Sequence, residues 1–214
     1  MRFFKAGLIC LICTVALEAA ETKFISIPSV GSQAPAFQVE STQGQLLFPE
    51  NYRGRWAVLF SFPNVFMPVC RSELKAFLKN LDRINAAVIG ISANSREQHL
   101  SFMESVKKEA KVKTAFPIIS DPKKKILQLY GMLHPLENKD KPLRAVYLID
   151  PQGLVRAIFF YPNFNGRSLK EILRLLEALQ LSCREGLVTP EGWQKGARAI
   201  SCPQCSSGQK CPAP

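Results

Sequence analysis

Histidine is scarce in this chain, which has only two among 214 residues. No set of metal-ligand side chains surrounds His99 or His134, so we interpret both as surface or loop residues and expect no metal site. A glycine-rich phosphate loop is also lacking, because Gly153 and Gly166 are isolated turn glycines. The sequence contains no internal repeat. It therefore predicts neither a bound metal nor a cofactor.

Acidic residues are also few, at 17 against 28 basic residues, which gives a net charge of +11. Such an excess can indicate a nucleic acid, an anionic membrane surface or an acidic partner. The basic residues are scattered, however, with short clusters at 107–108 and 123–125 and no basic stripe interleaved with aromatic residues. This pattern favours a solvated surface, and we expect no nucleic-acid partner.

A long membrane-spanning run is absent as well. Residues 6–17 form an apolar segment of signal-peptide length behind a short basic start, and Ala19 and Ala20 offer small residues for cleavage. We expect residues 1–20 to be a signal peptide, with an uncleaved N-terminal anchor as the alternative. Cleavage would leave no stable membrane insertion and would place the protein in the periplasm, outside the cell or in another oxidising compartment.

Three of the seven cysteines crowd into the C-terminal tail, residues 201–214, which is rich in Pro, Ser and Gly and is predicted to be flexible. Five cysteines follow residue 20, so at least one thiol stays free or pairs with another molecule. The Cys202 and Cys205 spacing is that of a redox dithiol. A structural disulfide and a metal site remain alternatives, although a metal site would be one ligand short.

Cys70 lies at a predicted junction between a strand and a helix. Residues 56–62 form a buried strand, a short Pro-rich loop follows, and a helix starts at about Pro68. The free N–H groups and the positive end of the helix dipole favour a thiolate in the first turn. Because the thiolate is the reactive form of cysteine, the sequence predicts one activated sulfur at the tip of this unit.

Strands and helices alternate through the middle of the chain. We predict strands at 87–92, 116–119, 145–150 and 154–161, and helices at 96–109, 121–129 and 168–181. In the helix predicted at 96–109, Leu100, Met103 and Val106 should face inward. This order predicts an α/β fold with a central sheet covered on both faces. The predicted organisation is a domain over 25–180, a C-terminal arm over 181–200 and the tail.

Four short motifs lie at the opening segment 30–37, around Cys70 at 63–73, at 161–168 and in a Pro-x-x-Trp arm at 190–193. Together they resemble the motifs of peroxiredoxins of the AhpC/TSA type, which are thiol peroxidases, and the similarity covers residues 29–196. It implies a thioredoxin-like fold, with a central mixed sheet flanked by helices and a C-terminal dimerisation arm. It also implies at least a homodimer.

The resemblance assigns a role to each motif residue. Cys70 would attack hydrogen peroxide or an organic hydroperoxide and become a sulfenic acid. Arg144 would stabilise the leaving oxygen and the thiolate. Pro63 would shield the sulfenate, and Glu73 and Arg167 would hold Arg144 in place.

One position departs from the motif Pro-x-x-x-Thr/Ser-x-x-Cys, because Met67 stands where the family has a hydroxyl that binds the peroxide. A thioether is a weak acceptor and cannot donate a hydrogen bond. Two interpretations follow. The chain is a slower or specialised peroxidase, or it is a catalytically weakened protein that acts as a redox scaffold or chaperone. Retention of the other motif residues favours the first.

The position of a resolving cysteine also distinguishes branches of the family. Two-Cys members carry it directly before the Pro-x-x-Trp element, where this chain has Thr189, so the chain resembles the one-Cys branch. Such an enzyme needs an external reductant, which could be thioredoxin-like, glutaredoxin-like or a small thiol. Alternatively a cysteine of this chain resolves Cys70, and the candidates are Cys202, Cys205, Cys211 and Cys183. We expect Cys183 just past the end of the last helix. A thioredoxin-like disulfide exchanger is disfavoured, because no second cysteine lies at the Cys70 helix.

Overall fold

The computed structural model describes residues 27–138 and 140–202, and the expected signal peptide lies outside these residues. Its strands are β1 (Phe37–Ser41), β2 (Gly44–Phe48), β3 (Ala57–Ser61), β4 (Ala87–Ser92), β5 (Ile118–Ser120), β6 (Arg144–Ile149), β7 (Val155–Tyr161), β8 (Leu187–Val188) and β9 (Ile200–Ser201). Its α-helices are α1 (Pro68–Asn80), α2 (Arg96–Ala110), α3 (Lys125–Leu129), α4 (Pro135–Asn138) and α5 (Leu169–Glu185). Short 3₁₀ turns follow β2 and α1.

Seven strands form one mixed sheet in the order β2-β1-β5-β4-β3-β6-β7. β3 lies near the centre, parallel to β4 and antiparallel to β6. Its alternate side chains enter two separate cores, because successive residues of a strand point to opposite faces. Val58 and Phe60 pack with residues of α1, α2 and α5, whereas Ala57 and Leu59 pack on the other face, where α3 lies. The predicted α/β fold with a covered central sheet is confirmed.

Local signals explain where the longest helices begin and end. Ser95 and Gln98 form a capping box at the start of α2, and Ser168 accepts a hydrogen bond from a first-turn N–H of α5. α5 ends at Gly186, whose φ of +69° is the left-handed conformation that glycine adopts most easily. The prediction that this helix ends at residue 181 was wrong. Cys183 lies inside its last turn, and the predicted arm begins within the helix.

Two predictions about α2 were also wrong. His99 was expected at the surface, but its side chain is completely buried, with the ring edge-on to Phe62 and Nε2 at 2.7 Å from Ser92 Oγ. Leu100 was expected to face inward, but it is 37% exposed. Met103 and Val106 are buried as predicted. The inward face of α2 therefore includes Met103 and Val106 as predicted, but in its first turn His99 takes the place expected for Leu100.

The start of α3 also differs from the prediction, which placed it at residue 121. The Asp121 carboxylate accepts the backbone N–H groups of Lys125 and Leu127, so it caps a helix that begins four residues later. Lys124, between them, has a φ of +57°, which is incompatible with a continuous α-helix.

The chain after α5 folds back onto the same subunit. β8 and β9 pair antiparallel, and between them Trp193 is buried. Its indole N–H donates to the Ala197 carbonyl at 3.0 Å, and Arg174 of α5 donates to the Trp193 carbonyl at 3.0 Å. None of the described helices is both long and apolar enough to pass through a lipid bilayer.

Candidate active site

Cys70 lies in the first turn of α1, and its side chain is fully buried. Pro68 occupies the first helical position, where a missing N–H costs nothing. Met67 has the extended backbone of an N-cap residue but makes no side-chain capping hydrogen bond. The N–H groups of the first turn therefore keep their hydrogen-bonding capacity for an anion at the sulfur.

Arg144 brings a positive charge to this sulfur from the start of β6. Its Nη1 donates to Cys70 Sγ at 3.4 Å and to Glu73 Oε2 at 2.7 Å. Its Nε and Nη2 both donate to the Asn163 carbonyl, at 3.0 and 2.9 Å. The guanidinium is completely buried, and contacts on both edges fix its orientation. Because arginine stays protonated at any accessible pH, the charge beside Cys70 is permanent.

Glu73 and Arg167 hold Arg144 from the other side. Glu73 lies one turn after Cys70 on the same face of α1, as the spacing of three residues requires. Its Oε1 accepts the backbone N–H of Arg167 at 2.7 Å and the Nε–H at 3.0 Å, and its Oε2 accepts the Nη2–H at 2.7 Å. Arg167 Nη1 also donates to the carbonyls of Ser61 and Ala145, each at 2.8 Å. A buried ionic network is stable only when its charged groups have hydrogen-bond partners, as those of Glu73 and Arg167 do here.

The charge state of Glu73 follows from these contacts. Burial alone raises the pKa of its carboxyl, but the hydrogen bonds and charge of Arg167 and the charge of Arg144 outweigh burial, so the pKa lies below its ordinary value. Glu73 is therefore ionised at neutral pH. One carboxylate against two guanidiniums leaves a single excess positive charge, which a Cys70 thiolate would neutralise.

The loop between β7 and α5 closes the site over the start of α1. Its Asn163 supplies the carbonyl that holds Arg144, and the Asn163 N–H donates to Glu137 of α4 at 3.4 Å. A Cβ on Gly166 would lie 3.3 Å from Val69, so the loop backbone approaches α1 closely. Asn163 was not predicted from the sequence, because it acts through its backbone and a backbone carbonyl leaves no side-chain signal.

Matches to known proteins agree with this geometry. A family model described as the AhpC/TSA family matches residues 30–158. A peroxiredoxin of Aquifex aeolicus is 39% identical over 172 residues, which are 79% of this chain and 78% of that protein. Peroxiredoxin 2 of Sulfurisphaera tokodaii is 39% identical over 170 residues, which are 78% of this chain and 80% of that protein. The chain belongs to the peroxiredoxin family.

Solved peroxiredoxins share its fold. The yeast mitochondrial 1-Cys peroxiredoxin is 37% identical with a TM-score of 0.75, and the match covers 81% of this chain and 86% of that one. A cysteine-to-serine mutant of peroxiredoxin 6 from Arenicola marina is 31% identical with a TM-score of 0.77, over 82% and 84% of the two chains. The predicted thioredoxin-like fold and the predicted enzyme class, a thiol peroxidase, are confirmed. A 2-Cys peroxiredoxin of Plasmodium vivax is also similar, with a TM-score of 0.72 at 31% identity over 80% and 93% of the two chains.

In this peroxiredoxin the structure gathers four of the predicted site residues into one buried cluster, made of Cys70, Glu73, Arg144 and Arg167. Pro63 is buried in the loop between β3 and α1, and Met67, which ends that loop, is half-buried. Among the residues that the structure describes, no three His, Cys, Asp or Glu side chains are grouped so as to hold a metal ion.

The candidate resolving cysteines do not join this cluster. Cys183 and Cys202 are disulfide-bonded, whereas Cys70 is a free thiol. Cys183 lies near the far end of α5, on the order of 20 Å along the helix from the end that contacts α1. It lines a cavity with Trp56, which precedes β3 and so lies at the opposite end of that strand from Cys70. Cys205 and Cys211 lie outside the described residues.

A second set of contacts anchors the loop before Cys70. The Val65 N–H donates to Asn94 Oδ1 at 3.2 Å, and Asn94 Nδ2 donates to Gln98 Oε1 at 3.0 Å. Ser92 Oγ contacts both Asn94 Oδ1, at 3.1 Å, and the buried His99, so a polar chain connects α2 to the loop. Burial lowers the pKa of His99 to about 4, which keeps this histidine neutral under most conditions. The periodicity of α2 was the only sequence signal that could have located His99.

Proposed function

We propose that Cys70 is the peroxidatic cysteine and that this protein reduces hydrogen peroxide and organic hydroperoxides by the one-Cys route. The contact between the Arg144 guanidinium and the Cys70 sulfur, at 3.4 Å, carries this proposal. Cys70 is the one free thiol among the described cysteines, and it is held at a helix N-terminus beside a permanent cation. Both features favour the nucleophilic thiolate.

In the first half-reaction the Cys70 thiolate attacks the terminal oxygen of the hydroperoxide. An S–O bond forms, the O–O bond breaks, and the sulfur becomes a sulfenic acid while the peroxide is reduced. The departing oxygen leaves as hydroxide or alkoxide and takes a proton from solvent to give water or an alcohol. Arg144 stabilises the negative charge as it moves from sulfur to the departing oxygen. Pro63, buried in the preceding loop, shields the sulfenate from further oxidation.

In the second half-reaction an external thiol attacks the sulfenic acid and releases water, and a second thiol equivalent restores Cys70 with formation of a disulfide. The far position of Cys183 and the disulfide states of Cys183 and Cys202 support an external thiol over resolution within one subunit. In an oligomer, Cys202, Cys205 or Cys211 of another subunit is the alternative resolver. In the yeast mitochondrial 1-Cys relative, thiol resolution proceeds via glutathione and thioredoxin systems, and we propose a reductant of this kind here.

The cell compartment and the assembly belong to the same proposal. The predicted signal peptide at residues 1–20 and the disulfide-bonded Cys183 and Cys202 support an exported protein in an oxidising compartment. A homodimer or larger oligomer is the state that we expect there, with the C-terminal arm at an interface.

Met67 supports a second candidate function, a redox scaffold or chaperone with little peroxidase activity. In place of the family's hydroxyl, Met67 offers a half-buried thioether at the N-cap of α1 that makes no capping hydrogen bond. Loss of one oriented donor costs roughly 10²–10³ in rate in comparable anionic sites. The intact network around Arg144 supports the peroxidase over this candidate, because a scaffold would not need a buried cation at the sulfur.

The rate of Cys70 oxidation tests the proposal. The second-order rate constants for hydrogen peroxide and cumene hydroperoxide should be measured on the full chain, with Cys70→Ser as the control. We expect Cys70-dependent oxidation with either peroxide at least about 10²-fold faster than that of a free low-pKa thiol. A rate no faster than that of such a thiol, with both peroxides, would favour the scaffold.

A further inference from the structure

Ser61 is the last residue of β3, and its side chain is completely buried. The backbone ladder between β3 and β6 ends one residue earlier, at the pair of Phe60 and Val146. Beyond that pair the Ser61 hydroxyl continues the connection. Ser61 Oγ donates to the Leu143 carbonyl at 2.6 Å and accepts the Ala145 N–H at 3.0 Å.

The two backbone groups held by this hydroxyl are those on either side of Arg144. On the β7 side the ladder reaches Arg144 itself, through its pair with Tyr161. On the β3 side the Ser61 hydroxyl holds the two backbone groups that flank Arg144, while Arg167 Nη1 holds the neighbouring Ala145 carbonyl at 2.8 Å. The Ser61 carbonyl also accepts a hydrogen bond from Arg167 Nη1 at 2.8 Å. Ser61 therefore contacts both the Arg167 guanidinium and the backbone on either side of Arg144.

We infer that Ser61 is a positioning residue for Arg144, which rests on the proposed function of Cys70. Arg144 meets the sulfur at 3.4 Å through one guanidinium nitrogen, so a small displacement of its backbone changes the charge felt at Cys70. Misplacement by about 1 Å can cost on the order of 10² in rate. Replacing Ser61 with Ala would leave the Leu143 carbonyl and the Ala145 N–H buried without a partner, and the segment would shift to find one.

Ser41 provides a matched control. It is also a buried strand-end serine, its Oγ donates to the Gly44 carbonyl at 2.8 Å, and it accepts the Gln43 N–H at 3.1 Å. Ser41 lies in the β1–β2 hairpin, on the far side of the sheet order from β6. Ser41→Ala and Ser61→Ala therefore remove the same two kinds of hydrogen bond, but only the second touches the Arg144 segment.

The experiment uses the full chain with three changes: Ser61→Ala, Ser61→Thr and Ser41→Ala. Two rates are measured for Cys70, oxidation by hydrogen peroxide and alkylation by iodoacetamide across pH, and Cys70→Ser supplies the background. Urea unfolding of each variant reports its stability. We expect Ser61→Ala to slow oxidation about ten-fold or more and to move the alkylation profile to higher pH. Ser61→Thr keeps the hydroxyl, so its oxidation rate and alkylation profile should match those of the wild type. Ser41→Ala should lower the stability and leave both Cys70 rates unchanged.

Equal behaviour of Ser61→Ala and Ser41→Ala in both Cys70 rates would overturn the inference and leave Ser61 a structural residue. If Ser61→Ala does not fold, Ser61→Cys replaces it, because a thiol is a weak donor of similar size, and Ser61→Cys combined with Cys70→Ser then supplies the background. Its oxidation rate must then fall below that of Ser61→Thr. If wild-type Cys70 is not oxidised rapidly, the proposed peroxidase function fails, and the alkylation profiles alone decide the role of Ser61.

Discussion

Glu73 and Arg167 are joined by three hydrogen bonds, two from the guanidinium and one from the backbone N–H of Arg167. The same Glu73 carboxylate accepts from Arg144 at 2.7 Å. The carboxylate thus ties the start of α5 to α1 and directs a second guanidinium to the Cys70 sulfur. Removing it would leave two buried cations without an anion, which is the costly way to break a buried pair.

We expect Glu73→Gln to reduce the free energy of unfolding by about 3 kcal/mol, because the uncharged amide presents N–H groups to two arginines. The rate of Cys70 oxidation should fall about 10²-fold, since Arg144 loses the partner that orients it. Urea unfolding and stopped-flow oxidation measure the two effects. Glu109→Gln is the control, because Glu109 pairs with Arg71 at 2.5 Å on the surface, where a pair contributes about 1 kcal/mol or less. Equal losses in both variants would contradict the assigned role.

Met67→Thr should speed the oxidation of Cys70 by hydrogen peroxide about ten-fold or more, because it supplies the donor that the thioether lacks. The change should also stabilise the protein by about 1 kcal/mol, since residue 67 is the N-cap of α1 and has the extended φ of −87° and ψ of 130° that a capping threonine uses. Met67→Val is the control, because valine has the shape of threonine without its hydroxyl. If Thr and Val give the same rate and stability, the hydroxyl is irrelevant here.

The local part of the site could be predicted from sequence. The position of Cys70 depends on a strand, a loop and a helix start that are close together in the chain, and α1 begins at Pro68 as predicted. β4 has the predicted bounds for the same reason, since a run of apolar and β-branched residues defines a buried strand. The resemblance to peroxiredoxins supplied Arg144 and Arg167, which are distant in the chain.

Features that depend on distant backbone could not be predicted. The Asn163 carbonyl contacts Arg144 from 19 positions along the chain. The Ser61 hydroxyl acts on Arg144 through Leu143, which is 82 positions from Ser61. The β1–β2 hairpin was missed because β2, with the sequence Gly-Gln-Leu-Leu-Phe, does not alternate between apolar and polar residues, although β1 does. His99 was placed wrongly because composition favours exposed histidine, whereas a short contact with Ser92 makes burial tolerable.

Stability should fall in mild acid because of His99. Its pKa is about 4 in the folded protein, against 6.5 in the unfolded chain, so between these values the unfolded state binds a proton that the native state does not. The free energy of unfolding is therefore unaffected above about pH 7 and falls as the pH drops from about 6.5 to 4, by up to about 3 kcal/mol. His99→Gln should flatten this dependence. Urea unfolding of the wild type and of His99→Gln between about pH 4 and 7.5 measures this dependence. Both proteins retain Glu73, so its titration contributes equally to the two stability profiles. Parallel profiles would show that His99 does not titrate in this range.

The disulfide of Cys183 should be separable from the chemistry of Cys70. Cys183 is disulfide-bonded near the far end of α5, so Cys183→Ser should lower the free energy of unfolding by about 2–4 kcal/mol, the usual effect of losing a native disulfide. The rate of Cys70 oxidation should change less than about two-fold, because Cys183 lies on the order of 20 Å along α5 from the end of the helix that contacts α1.

Peptide mapping of the wild-type protein after one equivalent of peroxide should find Cys70 as a sulfenic acid, with Cys183 and Cys202 still disulfide-bonded. A disulfide from Cys70 to Cys202, Cys205 or Cys211 would show instead that the tail resolves the sulfenate. Cys202 directly follows β9, which pairs with β8 beyond the far end of α5. A bond from Cys70 to Cys202 would therefore require a neighbouring subunit to supply the tail, and its yield would then depend on protein concentration.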